Sequence, residues 1–182
     1  MEIVLVTLDD LRPRVAAQSR EDFVAAHPGA FFLAMGYLAV EYIRRSTKRF
    51  PTGERTEAFY FGSKLRHAEG DHPLAGSAFF LRPTGDQRYI VVGRGNDCDL
   101  TIPDMSVSDE HCVLAITDEG VTVTDNDSTN GTAVNLRRLE PHRPKLLADE
   151  DILTVGRYSF QLLSAQAMHR EIAILMSLRR KL

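Results

Sequence analysis

The sequence predicts a mainly β fold: an antiparallel β-sandwich over residues 76–163. A partly helical extension (1–75) precedes it and an amphipathic helix (164–182) follows it. Three observations carry this prediction. From residue 76 onward, short apolar runs recur at close spacing, each closed by Gly, Pro, Asn or Asp. Many short strands separated by turn residues are the pattern of a sandwich, not of alternating strands and helices. The last stretch changes period, with Met168, Ile172, Leu175 and Leu178 on one helical stripe. At 182 residues, 43% of them apolar, the chain has material for one domain with a substantial extension.

At the N-terminus, Ile3 to Leu8 form a short apolar run with no decisive period. Ser19 followed by Asp22 is a cap arrangement for a helix through about Ala26, stopped by Pro28-Gly29. In residues 30–45, Phe31, Met35, Leu38 and Tyr42 stand at helical spacing, while Phe32, Leu33, Tyr37 and Val40 fill much of the other side. A helix buried on most faces is the first reading there, and a short strand over 31–35 the second. The aromatic residues belong to a core. Arg44, Arg45, Lys48 and Arg49 suit a solvated helix end, with contact to an acidic partner as the minority reading. Residues 51–55 read as a turn, 57–61 as a strand and 62–76 as a linker or long loop. No constellation in 1–75 supports an enzyme.

In the second half, residues 78–81 and 88–92 flank a turn at 83–86 and predict a hairpin. Residues 100–102 form a short strand ended by Pro103. Residues 112–116 and 121–124 flank Asp118-Glu119-Gly120, and 152–155 and 158–163 flank Gly156-Arg157, giving two further hairpins. Ser164 caps the final helix, where Arg179, Arg180 and Lys181 suit the dipole. That helix is expected to pack on the domain or its extension, with a dimer or partner helix as the other reading.

Net charge is −3, which argues against a general nucleic-acid binder. Cys98 and Cys112 have no Cys-x-x-Cys or metal spacing and read as thiols in a reducing compartment. The histidines lack ligand spacing, and no cofactor is implied. The apolar part of residues 30–43 is too short for a bilayer and contains Gly36 and Glu41. Met1-Glu2 opens no signal peptide, so the expected location is cytoplasmic, away from membranes.

The chemistry concentrates on three loops. Gly93-Arg94 ends a strand, Ser108-x-x-His111 opens another, and Asp125-Asn-Asp-Ser-Thr-Asn-Gly131 joins two more. A phosphate dianion wants a guanidinium, hydroxyl donors and backbone N–H groups presented by a stiff scaffold. Arg94 offers the first, Ser108 and Thr129 the hydroxyls, and Asn130 an amide able to read a peptide backbone beside the phosphate. Asp and Asn fold back on their own backbone, and Gly131 accepts positive φ, so the third loop is tight.

This order and spacing closely resemble the forkhead-associated (FHA) domain, over about residues 77–163. The resemblance implies an eleven-stranded sandwich of two twisted sheets that binds phosphothreonine peptides through loops at one end, without catalysis. By position, it implies that Arg94, Ser108 and Thr129 hold the phosphate and Asn130 the peptide main chain. Ser106 lies where the family often contacts a residue downstream of the phosphothreonine. Gly93, His111 and Gly131 support the loops. The implied partners are a phosphothreonine-containing protein or a Ser/Thr kinase, in an adaptor role. The alternative is an FHA-like scaffold that binds partners, or itself, without phosphate.

Asp109 departs from the family, which commonly places a basic or amide residue directly after the motif serine. A carboxylate about 6 Å from a dianion costs on the order of 1 to 5 kcal/mol at an effective dielectric of 20–80. Pointing inward, Asp109 offsets Arg94; pointing outward, it leaves binding intact. Three other readings are weaker. Gly93-x-Gly95 lacks the third glycine and the helix of a dinucleotide loop. Ser108 and His111 lack a third group for catalysis. The 125–131 loop misses the glycine and glutamate positions of a calcium loop.

Overall fold

A computed structural model describes residues 2–37, 77–82, 89–117 and 119–179. In chain order the elements are β1 (Glu2–Thr7), α1 (Leu8–Ala17), α2 (Arg20–Ala26), β2 (Ala30–Tyr37), β3 (Ser77–Arg82), β4 (Tyr89–Gly93) and β5 (Leu100–Thr101). They continue with β6 (Cys112–Thr117), β7 (Gly120–Asp125), β8 (Thr132–Val134), β9 (Arg137–Arg138), β10 (Lys145–Leu146), β11 (Ile152–Val155), β12 (Tyr158–Ser164) and α3 (Ala165–Arg179). The strands build a seven-stranded sheet, β1-β3-β2-β12-β11-β8-β9, and a five-stranded sheet, β10-β7-β6-β4-β5. Neighbours pair antiparallel except β4 and β5, which run parallel. The expected basic cluster (Arg44, Arg45, Lys48, Arg49), the features at 51–55, 57–61 and 62–76, and the turn at 83–86 lie outside the described residues.

Two hydrophobic cores share the seven-stranded sheet. One fills the space between the sheets, with Phe32, Phe79, Leu114, Val123 and Phe160 among its members. The other lies on the opposite face, where Phe31, Phe80 and Leu163 meet Leu11, Phe23, Met168 and Ile172 of the helices. Residues 30–45 thus require a correction: 30–37 form strand β2, paired to β12 and β3, and not a helix. Successive side chains of a strand point to opposite faces. Phe31 and Leu33 therefore enter one core while Phe32 and Ala34 enter the other. Both faces being buried erases the alternation that marks a half-exposed strand, leaving a continuous apolar run.

The hairpin expected across 78–92 is a second correction. β3 pairs with β1 and β2 in one sheet, whereas β4 pairs with β5 and β6 in the other. The hairpins β6–β7 and β11–β12 form as expected. The seven-stranded sheet takes strands from both sides of the expected boundary at 75/76.

Helix α1, absent from the sequence expectations, starts on a capping box: Asp10 N–H donates to Thr7 Oγ1 and Thr7 N–H to the Asp10 carboxylate. Its Leu8, Leu11 and Val15 are buried on one face. Ser19 caps α2 as expected, accepting from Asp22 N–H at 3.1 Å. Helix α3 packs against α1 and α2. Its Met168 and Ile172 are fully buried and Leu175 is partly so, whereas Leu178, expected on the same stripe, is exposed. Among the described residues no helix is long and apolar enough to cross a membrane.

Candidate functional site

Strand register brings the three motif loops to one end of the sandwich. Val92 on β4 faces Cys112 on β6, and Cys112 faces Asp125 on β7. In the other sheet Thr132, which opens β8, faces Val155 at the end of β11. The loops after Gly93, before Cys112, after Asp125 and after Val155 therefore all emerge at the same edge.

The first two loops are zipped together. Arg94 N–H donates to Ser108 O at 2.8 Å and Gly95 N–H to Asp109 O at 3.0 Å. This approach requires Gly93, where a Cβ would run into the Asp109 carbonyl. The second and third loops meet at Ser108. Thr129 N–H donates to Ser108 Oγ at 3.0 Å, and the two hydroxyls lie 3.4 Å apart.

The third loop is wound around a buried carboxylate. Asp125 Oδ1 accepts from the Ser128 hydroxyl at 2.6 Å and the Thr132 hydroxyl at 2.5 Å, while Oδ2 accepts from Ser128 N–H. Asp127 at φ +51° and Gly131 at φ +81° complete the reversal. A Cβ on Gly131 would also collide with the Arg138 guanidinium.

His111 joins two loops through its ring. Nδ1 accepts from Ser108 N–H at 3.0 Å, so the proton sits on Nε2, which donates to Gly131 O at 3.2 Å. The imidazole is fully buried. Burial pushes its pKa below the usual histidine range, against the opposing influence of the Gly131 carbonyl and Asp125. With both nitrogens occupied, the ring is not placed as a base for Ser108 Oγ.

A protonated Nδ1 cannot accept from Ser108, which makes the brace pH-dependent. The folded pKa lies below the unfolded one, so the stabilisation is complete above the ordinary histidine value and is lost as pH falls through the depressed value. Parent and His111→Gln are expected to differ most in unfolding free energy at neutral pH, and the gap should close on acidification. Urea titrations at several pH values measure this; a gap that widens on acidification would contradict it.

The candidate binding side chains differ in how far they are engaged within the protein. Arg94 Nη2 donates to Asp109 Oδ1 at 2.7 Å and Nη1 to Met105 Sδ at 3.2 Å, whereas Nε is buried with no partner among the described residues. Of the two open orientations, Asp109 thus takes the inward one. Asn130 is buried; its Nδ2 donates to Ser106 O at 2.8 Å and its Oδ1 has no partner among the described residues. Ser106 is set into the wall, its Oγ accepting from Arg157 N–H at 3.1 Å.

Residues beyond the motif brace the site. Asp104 accepts from Ser106 N–H, Arg157 and Tyr158 Oη. Hydrogen bonding to Ser106 and pairing with Arg157 outweigh partial burial, the largest single influence, and lower its pKa. Cys98 and Cys112 are free thiols, and burial pushes Cys112 up to about 12, away from reactivity.

A rigid two-sheet scaffold presenting a guanidinium, hydroxyls and an amide from clustered end loops defines a loop-based recognition module. The FHA domain profile matches residues 90–156. The oxoglutarate dehydrogenase inhibitor of Corynebacterium glutamicum is 30% identical over 122 residues, covering 67% of this chain and 80% of that protein. The chain belongs to the FHA domain family. The glycogen accumulation regulator GarA of Mycobacterium tuberculosis is 35% identical over 86 residues, 47% of this chain and 49% of that one. A solved structure from work on phosphothreonine-dependent FHA domain interactions superposes with a TM-score of 0.43 at 26% identity, covering 54% of this chain and 91% of that one. The matched stretch spans about half or less of several other curated relatives, down to 9% of an ABC transporter ATP-binding/permease protein of Mycobacterium tuberculosis.

Proposed function

We propose that the chain is a phosphothreonine-peptide-binding adaptor in Ser/Thr-kinase signalling, a binding module and not an enzyme. One observation carries this reading: Arg94, Ser108, Thr129 and Asn130 converge on one loop edge, with the buried Asn130 Oδ1 lacking a partner among the described residues. A buried acceptor left unsatisfied calls for an explanation, and a peptide N–H of a bound ligand supplies one. Arg94, Ser108 and Thr129 then hold the phosphate, while Gly93, His111 and Gly131 keep the loops in place. Ser106 acts through the wall it forms with Asn130 and Arg157. The partner is a phosphothreonine-containing protein or a Ser/Thr kinase. The free thiols suit a cytoplasmic setting. The phosphate-independent scaffold reading has less support, because α1, α2 and α3 spend much of their apolar surface on one another and on the sheet.

Fluorescence polarisation with a degenerate phosphothreonine peptide pool and its unphosphorylated twin tests this. Binding of the phosphorylated pool alone is the expected result. Equal affinity for both pools, or for neither, would refute it.

A further inference from the structure

The charge around Arg94 is one-sided. Residues 95–111 and 125–131 contain no Lys or Arg. On the same loops the side chains of Asp97, Asp99, Asp109, Glu110 and Asp127 are all exposed. Among the described residues, Arg157 and Arg138 border this end. Arg157 is tied to Asp104, and Arg138 lies over Gly131.

Arg94 is engaged by Asp109, the more open partner, whose side chain is 77% exposed against 35% for Arg94. A phosphate arriving on Arg94 competes with this carboxylate. The Asp109 side chain can swing outward, but its backbone is pinned: its carbonyl accepts from Gly95 N–H at 3.0 Å and from the Cys98 thiol at 2.9 Å. The displaced carboxylate therefore stays near the dianion, and like charges at that range repel. The described stretches 95–111 and 125–131 carry no second cation to receive it, and Arg157 is already tied to Asp104, so a cation brought by the ligand would relieve the repulsion.

We propose that Asp109 is a specificity-determining residue that selects phosphothreonine segments with a Lys or Arg beside the phosphorylated residue. The ligand cation takes the Asp109 carboxylate as the phosphate takes Arg94. This rests on the phosphothreonine-binding reading. The unpartnered Asn130 Oδ1 next to the same loops points to a ligand independently of the acidic side chains. Complementary charge at an interface chiefly sets which partner is accepted, which is the role assigned here.

Two phosphothreonine peptide pools, identical except for Lys or Gln fixed next to the phosphothreonine, distinguish the outcomes when titrated against the full chain and Asp109→Asn. The parent is expected to bind the Lys pool on the order of tenfold more tightly. In Asp109→Asn the Gln pool gains affinity and the ratio falls towards one, while a thermal melt confirms that the variant is folded. Equal binding of the two pools by the parent overturns the proposal, as does a Lys preference that survives in Asp109→Asn. Binding of neither pool by either protein removes the phosphothreonine reading itself, and this inference with it.

Discussion

Arg94→Ala is expected to lose phosphate-dependent binding while keeping its fold. In the proposed binding mode the guanidinium gives the phosphate a charge-assisted hydrogen bond, about 1.5–3 kcal/mol, or roughly 10- to 150-fold in Kd. Its loss also leaves Asp109 facing the dianion unopposed, so the upper part of that range is the expected one. Stability should change little. The Arg94–Asp109 pair is partly exposed at both ends, and such pairs contribute about 0–1 kcal/mol. The loop geometry does not depend on the side chain, because Arg94 anchors through its backbone N–H to Ser108 O. Arg94→Lys restores the charge but not the planar fork, and should recover binding only in part. Peptide titrations set beside urea denaturation separate the two effects. Full affinity in Arg94→Ala would remove the arginine from the site, and a matching collapse in stability would make its role structural.

The site was legible in sequence where chemistry sits in short spans. Gly93-Arg94, Ser108-x-x-His111 and the 125–131 loop each carry local turn or strand-end signals, and their order carried the family resemblance. The braces were not legible. Asp104 and Arg157 are 53 residues apart, and the side chains between them give no hint that the loops meet. The inward orientation of Asp109 is a side-chain contact with Arg94, 15 residues away, across two loops zipped by backbone bonds, and residue type alone does not encode that approach.

The fold shows the same division. Hairpins β6–β7 and β11–β12 were readable because each has its turn residues between paired strands. The passage from β3 to β4 changes sheets, and local turn chemistry reads alike whether a chain doubles back or crosses over. The Thr7–Asp10 capping box is a local signal for α1, and Pro13 inside the helix weakens the pattern that follows it.

Strand β2 leads to the second large effect, because Phe31 sits where the N-terminal segment and the sandwich meet. Its side chain is fully buried, with ring centroids 4.7 Å from Phe80 on β3, 6.5 Å from Phe23 on α2 and 5.7 Å from His27. Phe31→Ala opens a cavity among these rings and should cost about 3–5 kcal/mol. For a chain of this size, that lowers Tm by roughly 6–20 °C. Phe31 faces the helical core, on the far side of the sheet from the core between the sheets. Phosphopeptide affinity measured well below the transition should therefore stay within about twofold of the parent, in line with the additivity of distant sites. The shape of the transition matters as much as its midpoint. β2 bonds to both β12 and β3, so the N-terminal strands and the sandwich share one hydrogen-bonded sheet. A single transition, coincident by far-UV circular dichroism and by peptide binding, is expected for parent and variant alike. Two separated transitions, with the site surviving the first, would instead make the N-terminal segment an independent unit.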